Sequence, residues 1–402
     1  MPPGLSLDGQ RQAFDSVAQR GPASLTALTA LTAVTVVVPA GLSHVESVLG
    51  GTPWTVLQAP VWTAQVSGLL PPAGFAETLL RFGFLHPGAL AGLCRAWRAL
   101  IDGVAPQMIV CDYAPTALLA TRGLALTRVV FGDSFSIPPA TEPVPVYRWW
   151  RPDTPARVAD AERHALAGAN AVLAWRGEPP LQRLADLQAA DASIMTTFEE
   201  FDQYPVRAGG SYWGALPALD QGVAPDWPDM GTKRVFAYVK PRSRDFDKLL
   251  GALAALGEAA VVVHAPGIST ALQRKHLAAN IRFSTEPVRM AEACRDADLG
   301  ICHSGAGTVQ ALVVAGKPVL MLPEHLEQMT TAKRVTALGA GLSVDYESPA
   351  PDYKRLLRRL LDEPGFTTAA QSVAARYAAD GPAARLARIV DRLESLLVRQ
   401  PR

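Results

Sequence analysis

The stretch that most constrains the fold of this chain is Ala297–Val344. Its apolar run Leu299–Cys302 predicts a buried strand, and Thr308–Val314 has the apolar spacing of a helix. A second pair of the same kind follows, with a strand at Val319–Leu322 and a helix at Gln328–Leu338. Similar alternation continues through both halves of the chain, and it predicts an α/β fold with parallel sheets covered on both faces.

A small-residue loop joins the first strand of this stretch to its first helix. This glycine loop reads His303, Ser304, Gly305, Ala306, Gly307 and Thr308. Backbone N–H groups at the positive end of a helix bind anions, and the absence of Cβ atoms at Gly305 and Gly307 lets an anion approach closely. Thr308 adds a hydroxyl, and His303 can donate one more hydrogen bond. No Lys-Ser/Thr pair follows the glycines, so the loop predicts a diphosphate site that is not a P-loop.

The residues beyond the glycine loop extend the pattern towards a sugar. Glu327 and Gln328 follow the second strand and offer a carboxylate and an amide that suit sugar hydroxyls. This part of the chain resembles the donor-binding signature of family 1 glycosyltransferases. The resemblance is carried by three segments together: H-S-G-A-G-T, A-G-K-P-V-L-M-L-P and E-Q. Members include plant secondary-metabolite enzymes and bacterial antibiotic and macrolide enzymes. The resemblance implies that Glu327 and Gln328 bind the transferred hexose and that five loop residues hold the diphosphate of a nucleotide-sugar: His303, Ser304, Gly305, Gly307 and Thr308.

One position departs from the family pattern. Members usually carry a glutamate eight residues after the histidine, where it binds both ribose hydroxyls. This chain has Ala311 there, with Gln310 beside it. The departure favours a dTDP-sugar over the UDP-sugar that the resemblance would otherwise imply.

The resemblance also implies the GT-B fold, with two Rossmann-like domains facing each other across a cleft. Residues 205–231 are rich in Pro and Gly and predict a linker. An acceptor-binding domain is therefore expected at residues 1–204, with its first strand missing from the pattern. The nucleotide-sugar-binding domain is expected at residues 232–380. In the family the last helix returns to the N-terminal domain, and residues 381–402 are the candidate here.

Asp112 and His44 are the candidate catalytic residues. Asp112 opens the segment D-Y-A-P-T-A-L-L-A-T-R, which is similar to a segment of bacterial members. In the plant enzymes an Asp after this strand orients a His that takes the proton from the acceptor hydroxyl. His44 is the upstream His in a strand-end loop, but it lies closer to Asp112 than the family's His does. Either His44 or Asp112 itself is expected to act as the base.

Two functions of different classes follow from these residues. The first is an inverting, metal-independent transferase that moves a hexose to the hydroxyl of a small acceptor with an apolar part. It would need no cofactor, since the nucleotide-sugar is a co-substrate. The second is a catalytically impaired relative, or a partner protein, that keeps the donor site and lacks the base. A Gly-His turn encoded upstream of Met1 would favour the first. A sugar-nucleotide epimerase would need acid/base carboxylates that the sequence does not place.

Composition limits the classes of partner and the cellular compartment that are expected for this chain. The net charge is +1 and the pI about 7.7, so a nucleic-acid partner is not expected. Residues 24–42 carry no charge, but their threonines favour a buried strand at Ala33–Val38 over a membrane span. The four cysteines lack metal-ligand spacing, so no metal site is expected and a reducing cytoplasm is the predicted compartment.

Overall fold

The computed structural model describes residues 34–39, 54–64, 66–151, 155–204, 207–216, 222–345, 348–349 and 351–398. The chain divides into two compact units. Unit 1 contains residues 1–214 and 387–402, and unit 2 contains residues 215–386.

The described residues of unit 1 form two parallel sheets, a pair β1-β2 and a trio in the order β3-β4-β5. Its strands are β1 (Thr35–Val38), β2 (Thr55–Gln58), β3 (Met108–Asp112), β4 (Thr127–Gly132) and β5 (Ala192–Met195). Its helices are α1 (Phe75–Leu79, continued by a π-helical turn at Leu80–Phe84), α2 (Pro87–Val104), α3 (Pro115–Ala120) and α4 (Pro155–Trp175), with 3₁₀ turns at Leu184–Gln188 and Glu199–Phe201. A Cβ at Gly168 of α4 would clash with the carbonyl oxygen of Phe84, so the two backbones pack in direct contact there.

Unit 2 is built on a six-stranded parallel sheet in the order β11-β10-β9-β6-β7-β8. Its strands are β6 (Lys233–Tyr238), β7 (Ala259–His264), β8 (Ile281–Ser284), β9 (Leu299–Cys302), β10 (Val319–Met321) and β11 (Gly341–Ser343). Its helices are α5 (Phe246–Ala254), α6 (Thr270–Lys275), α7 (Met290–Asp296), α8 (Ala306–Val314), α9 (Leu326–Ala337), α10 (Tyr353–Asp362) and α11 (Pro364–Tyr377). The last helix, α12 (Pro382–Val398), contains residues of both units.

The strand order of unit 2 reverses between β6 and β9. From β6 the chain proceeds through β7 to β8 on one side, and from β9 through β10 to β11 on the other. Val235 pairs with Leu299 and Tyr238 with Cys302, so the two strands end level with each other. Ligands of open α/β sheets bind outside the carboxyl ends of the strands at such a reversal.

Both faces of this sheet are buried, which explains its continuous apolar strands. On β6, Val235 and Ala237 belong to the core that α5 and α10 cover. Phe236, one residue out of phase, belongs to the core on the opposite face, where Ala293 of α7 packs. Alternate side chains of one strand therefore serve two layers, as the predicted parallel sheet requires.

Several elements predicted from the sequence can be compared with the structure. The apolar segment at Thr35–Val38 is a strand, and no helix among the described residues is long and apolar enough to cross a membrane. Described parts of the predicted linker bond to their own units: the N–H of Trp213 donates to Met195, and that of Val223 to Pro287. The sequence did not predict the short helix α6 or the strand β11.

Candidate nucleotide-binding site

Close packing of a helix on a strand sets the position of the glycine loop. A Cβ at Gly300, in the middle of β9, would collide with the side chain of Leu312. Because Gly300 has no side chain, α8 packs directly over β9, and its first turn follows the end of that strand at once. The glycine loop therefore lies at the reversal point between β6 and β9.

The turn out of β9 is made by a serine. Ser304 has a φ of 63°, a left-handed conformation that side chains other than glycine seldom adopt. Its hydroxyl oxygen is buried and has no hydrogen-bond partner among the described residues. Such strained, unsatisfied positions persist mainly at functional sites.

Gly305 and Gly307 leave space beside the backbone. Gly305 has a φ of −59°, so its conformation does not require glycine. A Cβ built on either residue would meet no atom of the described residues within 4 Å. The structure thus contains the open approach to the backbone that the sequence predicts for an anion.

The first turn of α8 offers donors to that space. Gly305 is the N-cap of this nine-residue helix, and no side chain caps it. The first intrahelical bond runs from the N–H of Val309 to the carbonyl of Gly305, at 3.1 Å. The N–H groups of residues 306–308 precede it and lack intrahelical acceptors. They form, with the hydroxyl of Thr308, a site suited to phosphate oxygens.

His303 makes two backbone contacts that the sequence does not predict. Its Nε2 atom accepts a 2.9 Å hydrogen bond from the N–H of Lys240, and its Nδ1 atom donates to the carbonyl of Leu322 at 3.0 Å. Burial lowers the pKa of its ring. Through these two bonds His303 joins the ends of β6, β9 and β10. Its direct contact with a diphosphate stays a prediction.

Sequence reasoning missed the residues that surround this histidine. Lys240 follows β6, and its Nζ atom lies 3.6 Å from Oε2 of Glu324, which follows β10. The neighbouring His325 has a pKa lowered to about 4, chiefly by burial. Because all of them follow adjacent parallel strands, the same strand-end rule that identified the glycine loop could have found them.

Glu327 and Gln328 lie in the first turn of α9. The Oε1 atom of Gln328 accepts a 2.7 Å hydrogen bond from the N–H of Glu324, which fixes the start of the helix. Its side-chain NH2 group has no partner among the described residues. Glu327 is half-buried, and its backbone carbonyl accepts a hydrogen bond from the hydroxyl of Thr330. The capping role of Gln328 therefore coexists with a free amide donor.

The position where the resemblance implies a ribose-binding glutamate holds no carboxylate. Ala311 is half-buried in α8. Gln310 beside it is buried, and its amide donates to the carbonyl of Ala306 at 3.2 Å. The amide is thus bonded to the backbone of its own helix.

In unit 1, Asp112 is the last residue of β3 and is half-buried. A Cβ at Gly132, in the neighbouring strand β4, would lie 2.8 Å from Oδ1 of Asp112. Tyr113 follows with a φ of 43°, so the chain turns sharply after the carboxylate. His44 lies outside the described residues, and the structure does not test its predicted pairing with Asp112. No group of three or more potential metal ligands occurs in the described part of the chain.

Known proteins resemble this chain in its C-terminal part and in its fold. Residues 247–396 match the family model described as erythromycin biosynthesis protein CIII-like, C-terminal domain. Aklavinone 7-beta-L-rhodosaminyltransferase of Streptomyces galilaeus is 34% identical over 102 residues, 25% of this chain and 23% of that protein. Zeaxanthin glucosyltransferase of Pseudescherichia vulneris is 28% identical over 178 residues, 42% of each chain. The matches thus span less than half of each curated relative.

Solved structures extend the similarity over nearly the whole chain. Spinosyn rhamnosyltransferase SpnG has a TM-score of 0.61 at 17% identity, covering 94% of this chain and 96% of that one. The glycosyltransferase VinC, in complex with dTDP, has a TM-score of 0.65 at 18% identity, covering 94% and 97%. The α/β class and the GT-B fold of glycosyltransferases, both predicted from the sequence, are confirmed. Residues 247–396 are thus similar to the EryCIII-like C-terminal domain family.

Proposed function

We propose that this protein transfers a hexose from a nucleotide-diphosphate sugar to a hydroxyl of a small acceptor. The observation that carries the proposal is the uncapped first turn of α8, which faces open space at Gly305 and Gly307 beside the strand-order reversal. The names of both curated relatives, a rhodosaminyltransferase and a glucosyltransferase, support a sugar as the transferred group.

In this proposal the donor binds to unit 2. The N–H groups of residues 306–308 and the hydroxyl of Thr308 bind the diphosphate and stabilise the charge that develops as it leaves. The free amide of Gln328 and the carboxylate of Glu327 hold the hydroxyls of the sugar. The partners are thus a nucleotide-sugar and an acceptor with an apolar part, without a cofactor.

The nucleotide is proposed to be a thymidine diphosphate. Ala311 provides no carboxylate for a 2′-hydroxyl, so a deoxyribose loses nothing at this position. The complex of VinC with dTDP, a structure of similar fold, supports the same choice. We expect UDP to bind no more than about tenfold better than dTDP, since one buried hydrogen bond is worth about 0.5–1.5 kcal/mol.

Catalysis is proposed to be a single displacement with inversion and without a metal ion. The acceptor oxygen attacks the anomeric carbon as the bond to the diphosphate breaks, and Asp112, alone or through His44, takes the acceptor proton. The buried free thiols at all four cysteines support a reducing compartment, and we propose the cytoplasm.

A nucleotide-sugar panel tests the proposal. Thermal shift with dTDP- and UDP-hexoses should identify a stabilising donor, because a ligand that binds only the folded state raises its stability. Slow hydrolysis of that donor, measured as released nucleotide diphosphate, should then be detectable and should accelerate with an acceptor. Stabilisation with no release in the presence of a broad acceptor set would contradict a transferase and favour an impaired relative.

A further inference from the structure

A diphosphate carries several negative charges, and the residues predicted from the sequence supply no side-chain cation to balance them. His303 is held in its neutral form by hydrogen bonds at both ring nitrogens. The first turn of α8 contributes the equivalent of about half a positive charge. A further basic group beside the proposed donor site would balance more of this charge.

Three basic side chains lie in the loop that follows β6, and one of them, Arg244, forms an ion pair with Asp245. Lys240 is already compensated, because Oε2 of Glu324 lies 3.6 Å from its Nζ atom. Arg242 is exposed, and it makes no hydrogen bond or ion pair with any residue in the part of the chain that the structure describes. Arg242 thus carries the uncompensated charge of this loop.

The backbone holds Arg242 close to the glycine loop. The N–H of Ser243 donates to the carbonyl of Lys240 at 3.0 Å, which closes a turn with Pro241 and Arg242 at its corner. Lys240 is the first residue of this turn. Its backbone N–H also donates a 2.9 Å hydrogen bond to the Nε2 atom of His303, which fixes the turn to that side chain. Two residues span at most about 7 Å, so a long arginine side chain at the corner has the reach to meet a ligand at Gly305.

We propose that Arg242 is a donor-binding residue whose guanidinium pairs with the diphosphate of the nucleotide-sugar. A guanidinium can form two parallel hydrogen bonds with phosphate oxygens, and it stays charged throughout the physiological range. This inference rests on the proposed function and adds to it the cation that the motif lacks. Arg242 also lies close enough to His303 for its charge to help lower the pKa of the histidine, behind the larger effect of burial.

Arg244 provides a matched control on the same loop. It is also an exposed arginine, two residues further along, but its Nη2 atom lies 3.0 Å from Oδ2 of Asp245. Loss of its charge removes an existing ion pair and should leave the affinity for a diphosphate almost unchanged.

The test is calorimetric titration of dTDP into the full chain and three variants. Arg242→Gln should weaken binding by roughly tenfold or more, as expected for a lost charge-assisted hydrogen bond. Arg242→Lys should recover part of that loss, and Arg244→Gln should stay within about twofold of the wild type. The difference between Arg242→Gln and the wild type should shrink in 0.5 M salt, because exposed charges are screened.

The outcomes separate this inference from the proposed function. Equal affinities in Arg242→Gln and Arg244→Gln, with tight binding by the wild type, would overturn the role of Arg242 and leave the donor site in place. No binding of either dTDP or UDP by the wild type would overturn both.

Discussion

The Nε2 atom of His303 lies 2.9 Å from the backbone nitrogen of Lys240, a residue 63 positions earlier in the chain. This hydrogen bond joins the loops that follow β6 and β9, the two strands at which the sheet order reverses. The conspicuous histidine of the motif is thus a part of the framework, and the open donors of the site belong to the backbone that follows it.

Removal of the His303 ring should lower the free energy of unfolding and also weaken nucleotide binding. In His303→Ala the N–H of Lys240 loses its acceptor, and an unsatisfied buried group costs about 1–3 kcal/mol. We expect the free energy of unfolding to fall by that amount in urea, and dTDP affinity to fall because Lys240 and Arg242 shift. A variant with wild-type stability but impaired binding would support the direct contact with the diphosphate that the sequence predicts.

Two glycines of the same strand–helix unit should respond in opposite ways to an added methyl group. Gly307→Ala meets open space and lies within α8, so it should stabilise the fold by up to about 1 kcal/mol while it weakens dTDP binding. Gly300→Ala would collide with Leu312, so it should lower the melting temperature. Unchanged dTDP affinity in Gly307→Ala would show that no phosphate approaches this part of the backbone.

The stability of the chain should depend on pH through His325. Burial lowers the pKa of this residue to about 4, below its ordinary value near 6.5, so the unfolded state binds the extra proton first. The stability that neutral His325 contributes is complete above pH 6.5 and declines as the pH falls towards 4. The facing charges of Lys240 and Glu324 oppose each other, the first lowering and the second raising this pKa.

The measurement for His325 is denaturant unfolding at pH 7.5 and pH 5.5. Between these two pH values the free energy of unfolding of the wild type should fall by about 1.4 kcal/mol more than that of His325→Gln. The reason is that pH 5.5 lies one unit below the pKa of an unfolded histidine, and one unit corresponds to about that free energy. His303 also has a lowered pKa, but it is present in both proteins, so its direct contribution is common to both sides of the comparison. Identical losses in the two proteins would refute the burial of a neutral His325.

Asp112 should control turnover without affecting the donor. Asp112→Asn keeps the shape that fits beside Gly132, yet it removes the carboxylate that would take the acceptor proton. We expect turnover to fall by about a hundred- to ten-thousandfold with dTDP affinity unchanged, because the proposed donor residues all belong to unit 2. Asp102→Asn, at an exposed carboxylate of α2, is the control and should behave as wild type. Full activity in Asp112→Asn would exclude it as the base.

Strands covered on both faces could be predicted closely, because burial demands an uninterrupted apolar run. Leu299–Cys302 forms β9 with the predicted ends. The strand Gly341–Ser343 was missed, because its glycine and serine resemble a turn. It becomes a strand by pairing with β10, where a Cβ on Gly341 would clash with the carbonyl oxygen of Val319. The helix Thr270–Lys275 buries none of its residues and so leaves no periodic signal.

In the candidate site too, features set by neighbouring residues could be predicted from the sequence, and features set by residues distant in the chain could not. The open backbone at Gly305 and Gly307 follows from the local order of strand, loop and helix, and the sequence predicted it. The partner of His303 is set by the pairing of β6 with β9, which no local pattern encodes. A single sequence therefore indicated the open loop that we propose as the anion site, but it did not indicate the hydrogen bond between His303 and the backbone of Lys240.

Hydrogen–deuterium exchange of the amides in the first turn of α8 tests the central claim most directly. These N–H groups have no intrahelical acceptor, so they should exchange quickly in the free protein and slow markedly when dTDP is added. We predict that protection appears in peptides covering residues 305–309 of the wild type and is reduced in Thr308→Ala. Saturating dTDP that leaves the exchange of this segment unchanged, or protects only other segments, would contradict the assignment of the glycine loop as the diphosphate site.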